Sequence, residues 1–258
     1  MSLYFFLIVF SLVVGLCVGS FLNVCIYRIP AGESIVHPGS RCPACRTPIR
    51  FTDNVPLIGY LRLKGKCRQC GVEISPRYPI VELIMGLLSI AVFVKYDVSP
   101  EWPVYFIFVA TLLTLSLIDF DHYILPNVIT LPGIPLCFLG SLFLPSMTVK
   151  DSLIGILAGG GSLWLVGFLY QKIAGKEGMG GGDVKLLAMI GALLGWKGVL
   201  FTIFFGSALG TLVGVAVMLP SGGVMKKKIP FGPFLSLGAA GYVFFGQELI
   251  DWYLRFLR

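Results

Sequence analysis

Six stretches of this chain, residues 3–27, 102–118, 123–149, 152–171, 198–225 and 229–247, contain no charged side chain. A helix needs about 20 apolar residues, within a range of roughly 17–25, to cross a hydrocarbon layer. Each run therefore predicts a membrane helix. Two weaker segments join them: 80–94, whose only charge is Glu82, and the short apolar run 186–196. The fold class expected is an all-α polytopic membrane protein with about eight transmembrane helices. Pro126, Pro132, Pro135 and Pro145 interrupt 123–149, so its helix should start late or kink. Charged residues make up only 13% of the chain, against about 25% in soluble domains, which excludes a water-facing globule.

Positive charge orients such a chain, because Lys and Arg accumulate on the cytosolic side. The first run is too long for a signal-peptide core of about 7–15 residues, and no Lys or Arg precedes it. It reads as an uncleaved anchor with its N-terminus outside the cytosol. The cytosolic segments are then 28–79, 119–122, 172–185 and 226–228, and they hold 15 of the 20 Lys and Arg residues. In this setting Lys226–Lys228 read as a cytosolic anchor and not as a nucleic-acid footprint, so no nucleic-acid partner is expected. Three regions follow: 1–27 as the first transmembrane helix, 28–79 as a cytosolic four-cysteine segment, and 80–258 as a transmembrane core.

The segment 28–79 holds Cys42, Cys45, Cys67 and Cys70, two C-x-x-C pairs separated by 21 residues. Four soft sulfur ligands on two short knuckles suit tetrahedral Zn2+, although the gap is slightly wider than the usual 15–20 or so. About 50 residues cannot be stabilised by apolar burial alone, and a structural metal would supply the deficit. Two disulfides or redox pairs are the alternative, and a reducing cytosol disfavours the first. Cys17, Cys25 and Cys137 read as packing residues.

Ionisable residues in or beside spans are costly and mark function by default. Asp119 and Asp121 close one span in LSLIDFDHYILPN, and Asp183 ends the glycine run of KEGMGGGDVKLL. The charge count brings Asp119 and Asp183 to the same face. Two carboxylates sharing one proton can activate water and protonate a leaving amide nitrogen. Asp183 would sit at a helix N-terminus and Asp119 near a helix C-terminus, so the dipole argument makes Asp119 the expected proton holder. Asp119 and Asp121 lie roughly 200° apart on a helix and cannot share one site. Asp119 is closer to the apolar run. Gly180–Gly182 are expected to admit a peptide backbone beside Asp183 through positive φ and the lack of side chains. Glycine-mediated helix packing, the simpler alternative, explains Gly159–Gly161 well but leaves Asp183 uncompensated in the membrane.

Taken together, GSFLNVCIYRIP (19–30), the cysteine pairs, RYPIVEL (77–83), LIDFDHYILPN (117–127), GKEGMGGGDVKLLAMIGA (175–192) and IPFGPFL (229–235) resemble the type IV prepilin peptidases. These are membrane aspartyl proteases of the GxGD kind. The six ordered blocks run along essentially the whole chain. The resemblance implies an enzyme that removes the basic leader of a prepilin or pseudopilin after a glycine, on the cytosolic side of the bacterial inner membrane. It further implies N-methylation of the new N-terminal residue with S-adenosylmethionine, and it matches the catalytic pair to Asp119 and Asp183. On this reading 80–258 is the protease core.

Candidate substrate contacts are Gly180, Gly182, Glu82 and the turn Pro230-Phe231-Gly232-Pro233, with membrane lipid around the spans. No segment is long enough for a doubly wound S-adenosylmethionine domain. The methyl donor is therefore expected between the cysteine segment and the membrane face, where Asn23, Arg28 and Glu82 converge. Two other function classes compete. One is an ion-coupled transporter using the two aspartates, which usually shows an internal repeat absent here. The other is a non-catalytic zinc-bearing assembly factor.

Overall fold

The apolar runs fold as helices in the computed structural model, which describes residues 3–176, 180–219 and 229–256. The described residues form α1 (Leu3–Arg28), α2 (Ile58–Arg62), α3 (Arg77–Tyr96), α4 (Glu101–His122), α5 (Asn127–Ser141), α6 (Val149–Ala174), α7 (Gly181–Met218) and α8 (Gly232–Phe256). A 3-10 turn covers Phe51–Asp53, and no strand forms among the described residues beyond two isolated bridges. Five helices, α1, α3, α4, α6 and α7, are long and apolar enough to cross a membrane. The protein is thus an all-helical, multi-pass membrane protein. Lys226–Lys228 lie outside the described residues.

The chain divides into two compact units, Met1–Ala110 and Thr111–Arg258. In the first, α1 packs along α3 through small residues. A Cβ placed on Gly15 would lie 2.5 Å from the Cβ of Ser89, and one on Gly19 would lie 2.7 Å from the Cα of Glu82. Helix backbones approach this closely only where side chains are missing. Ser11 and Ser89 hydroxyls meet at 2.8 Å across the same seam. The opposite side of α1 leaves Phe5, Phe6, Phe10 and Phe21 exposed, as a lipid-facing helix requires.

In the second unit the first half of α7 is the centre. Residues 186–194 are buried on every side, the pattern of a helix surrounded by others. Glycines let the neighbours close in: Gly155 of α6 meets Gly191, Gly159 meets the Leu187 carbonyl, and Gly133 of α5 meets Met189. Ser152 donates to the Ala192 carbonyl at 2.5 Å.

Helix α7 contains 38 residues, which at about 1.5 Å each exceeds one bilayer crossing. It breaks at Gly195 (φ 69, ψ −177), so the two spans expected at 186–196 and 198–225 appear, as far as Met218, as two helical halves without a loop between them; 220–225 lie outside the described residues. Helix α5 starts late, at Asn127 after Pro126, and carries Pro132 and Pro135 inside. Thr148 caps α6, accepting the Asp151 N–H at 3.1 Å. Gly175 ends that helix in the left-handed conformation (φ 67), immediately before the glycine run.

Candidate active site

Asp119 lies in the last turn of α4 and is buried, at 5% exposure. Asp121, two residues on, is exposed, so the helix itself settles which carboxylate faces inward. The Gly232 N–H, at the start of α8, donates to Asp119 Oδ2 at 3.0 Å. A Cβ on Gly232 would fall 2.6 Å from that same oxygen. The residue therefore acts on Asp119: only glycine lets the first turn of α8 come this close. Asp183 sits in the first turn of α7, with Gly180 as N-cap. The Asp183 carboxylate is within electrostatic reach of Asp119.

The helix ends are gathered by Leu125, which the sequence did not single out. Its Cβ would meet a Cβ on Gly182 at 2.9 Å, and its Cδ2 a Cβ on Gly232 at 3.3 Å. Asn127 and Lys185 fasten the same corner, with Lys185 Nζ donating to Asn127 Oδ1 at 2.7 Å. The LPN of LIDFDHYILPN and the Lys of GGGDVK were the available signal for all three.

Two expectations change. Gly180, Gly181 and Gly182 do not adopt positive φ. The glycine need at Gly182 is close approach to Leu125, and the space beside Gly181 is open. The helix-dipole argument for Asp119 also weakens, because Asp119 ends α4 but faces the N-terminus of α8. Both carboxylates therefore have a helix N-terminus beside them.

Pro230 and Phe231 precede α8 and line a groove of about 470 Å³ along the second half of α7, with Gly210 and Gly214 on its floor. Pro233 lies inside the first turn of α8, where a missing N–H costs nothing.

The four cysteines of the first unit converge. Their sulfurs all lie within 4.8 Å of one another, with Cys42–Cys70 at 3.8 Å and Cys45–Cys67 at 4.0 Å. None of the four is joined in a disulfide in this structure. A tetrahedral ion with Zn–S bonds of about 2.3 Å puts its sulfurs roughly 3.8 Å apart, so the donor set and spacing fit zinc.

The two knuckles repeat one backbone design. Cys42 N–H donates to Thr47 O and Arg46 N–H to Cys42 O; Cys67 N–H donates to Val72 O and Gly71 N–H to Cys67 O. The turn residue has positive φ in both, 59 at Arg46 and 72 at Gly71. Thr47, its hydroxyl 3.3 Å from Cys45 Sγ, pulls that thiol down to about 6. Backbone N–H groups of Cys70 and Gln69 lower Cys67 as well. Such thiols are ready to become thiolate ligands.

Glu82, Asn23 and Arg28 all line a cavity of about 670 Å³ in the first unit, between α1, the start of α3 and the cysteine knuckles. Arg28 is committed elsewhere: it donates to the carbonyls of Ser34, Pro38 and Gly39 and so pins the loop after α1.

Comparison with known proteins matches these two halves separately. Residues 13–96 match the Bacterial Peptidase A24 N-terminal domain, and residues 106–215 match the Type IV leader peptidase family. A protein of Stutzerimonas stutzeri named prepilin leader peptidase/N-methyltransferase is 37% identical over 271 residues, covering 96% of this chain and 94% of that protein. Proteins of the same name from Pseudomonas putida (38% over 266 residues, 95% and 92%) and Myxococcus xanthus (41% over 214 residues, 83% and 64%) are also similar. No solved structure matches. With Asp119 and Asp183 at helix ends in one unit, a four-cysteine cluster in the other and relatives this similar along nearly the whole chain, the protein belongs to the type IV leader peptidase family.

Proposed function

We propose that this protein removes the basic leader from a type IV prepilin or pseudopilin, cutting after a glycine, and then N-methylates the new N-terminal residue with S-adenosylmethionine. The observation that carries the protease half is the gathering of Asp119 and Asp183 around Leu125, each at a helix end, in a chain of a leader peptidase family. The Asp119–Asp183 pair holds one proton between its two carboxyl groups. The ionised member takes a proton from water as that water attacks the scissile carbonyl. The protonated member gives its proton to the departing amide nitrogen. Family membership removes the transporter alternative.

The groove beside Pro230 and Phe231, with its glycine floor, suits the apolar helix that follows a leader. Gly180 leaves the backbone beside Asp183 without side-chain bulk, whereas the space at Gly182 is taken by Leu125. The excess of Lys and Arg in 28–79, 172–185 and 226–228 supports a site on the cytosolic side of the bacterial inner membrane, surrounded by lipid. Cys42, Cys45, Cys67 and Cys70 would hold Zn2+, whose contribution is structural: with four sulfur ligands no coordination position is left open for chemistry. The 28–79 segment would depend on that ion to fold, while 80–258 carries the protease.

The test is to incubate detergent-solubilised protein with a prepilin and methyl-labelled S-adenosylmethionine, following leader loss and label incorporation separately. Asp183→Asn should lose both, because methylation needs the freed N-terminus. Supplying an already cleaved peptide should restore its methylation. Leader loss at the wild-type rate in Asp183→Asn would overturn the protease reading.

A further inference from the structure

The cavity of the first unit is lined by two buried side chains, Glu82 and Asn23, each with one oxygen that receives no donor among the described residues. Glu82, on α3, is 8% exposed. Its Oε2 receives the Leu57 N–H at 2.8 Å, and among the described residues no donor reaches Oε1. Asn23, on α1, is 7% exposed. Its Nδ2 donates to the Gly19 and Tyr78 carbonyls at 3.3 and 3.1 Å, which fixes the amide orientation and leaves Oδ1 unmatched among the described residues. Gly19 packs directly on Glu82, and Asn23 lies one turn further along α1, so the two acceptors occupy neighbouring positions on facing helices. Two acceptors, one of them a carboxylate oxygen, lining one cavity suit a ligand that brings N–H donors.

The surroundings suit a small-molecule site. A volume of about 670 Å³ lies within the roughly 300–1,000 Å³ typical of ligand pockets. Tyr27, Tyr60 and Tyr78 supply aromatic wall. Leu57, which holds Glu82 from the far side, has φ 59 and ψ −50, a conformation costing a bulky residue about 1–3 kcal/mol that concentrates at functional sites.

We propose that this cavity is the methyl-transfer chamber, in which Glu82 Oε1 and Asn23 Oδ1 hold the α-amine of the cleaved peptide while the tyrosine-walled remainder takes the nucleoside-bearing methyl donor. The inference rests on the methyltransferase reading above. Glu82 accepts one proton from the peptide ammonium and passes it to solvent at the cavity mouth. The freed lone pair forms the N–CH3 bond as the donor's S–CH3 bond breaks, its electron pair staying on sulfur, so that a sulfonium becomes a thioether and the amine a methylammonium. Arg28 is given no part in the transfer: three of its five N–H donors hold the loop carbonyls of Ser34, Pro38 and Gly39.

The experiment uses the full chain in detergent and three readouts: leader removal, methyl incorporation into a cleaved peptide, and equilibrium binding of labelled S-adenosylmethionine. Glu82→Gln keeps an oxygen for the Leu57 N–H but removes the charge. It should lower methyl incorporation roughly 10²–10⁴-fold with a raised KM for the peptide, while donor binding and leader removal persist. Val24→Trp, which fills the cavity from α1, should abolish donor binding and leave leader removal intact. Methylation by Glu82→Gln at the wild-type rate, or donor binding by Val24→Trp unchanged, would overturn the assignment. Loss of leader removal and methylation in equal measure in Glu82→Gln would also overturn it, placing Glu82 at the leader. If the wild-type protein incorporates no label, the methyltransferase reading itself has failed, a different result from wild-type labelling with both variants indifferent.

Discussion

The cysteine segment of the first unit and the helical core of the second hold their working groups by opposite means. Residues 29–76 have little apolar interior: Ile49, Phe51, Ile58, Leu61 and Val72 are exposed, and the order comes from two sulfur knuckles and the carbonyls gathered by Arg28. The second unit has no such cross-link among the described residues. Its precision comes from glycines that let α6 and α8 approach α7 at backbone distance, and from a helix buried on every side that presents Asp183 at its end. Removing a ligand should therefore collapse the first arrangement as a whole. The second should respond to single methyl groups.

The largest effect expected from that contrast is on the cysteines. Cys42→Ser, or removal of the proposed Zn2+ with a chelator, should eliminate methyl incorporation and expose 29–76 to proteolysis, with leader removal persisting. Equal loss of both activities would show that the two units are not energetically separate.

Next is Gly232→Ala. The added methyl would lie 2.6 Å from Asp119 Oδ2, and displacing a catalytic group by about 1 Å costs on the order of 10²-fold. Leader removal should fall by that amount while methylation of a cleaved peptide is unaffected. A Gly181→Ala control, where the space is open, should leave the fold intact and separate crowding from loss of glycine.

The smallest effect is Arg46→Gly in the first knuckle. A non-glycine residue at positive φ costs roughly 1–2 kcal/mol, so the substitution should raise the first unit's resistance to chelator by about 1 kcal/mol, towards the design that Gly71 already has. A loss of resistance would mean the Arg46 side chain, and not its backbone, matters to the knuckle.

Much of this was legible in the chain. Uncharged runs became helices because a bilayer accepts little else, and the prolines of 123–149 delayed and shortened α5 as their missing N–H groups require. The cysteine spacing announced a four-sulfur cluster. Asp119 and Asp183 stood out because charge is scarce in such a sequence.

What escaped the reading is relational. The 186–196 and 198–225 segments look like two spans with a connection, yet Gly195 breaks one continuous helix, since a single left-handed residue needs no loop. Leu125 is one apolar residue among many until the starts of α7 and α8 close on it. Gly232 looked like part of a turn, and its hydrogen bond to Asp119 spans 113 residues of sequence. The spare acceptors of Glu82 and Asn23 exist only once their other contacts are known.

The most direct test of the paired-carboxylate mechanism is to measure leader removal by Asp119→Asn, Asp183→Asn and the double variant in lipid, with thermal melting as a fold control. If one proton is shared, each single substitution should cut the rate by roughly 10²–10⁴-fold or more, and the double should be no slower than the singles. Cleavage at the wild-type rate by either single variant, or losses that multiply in the double, would contradict it.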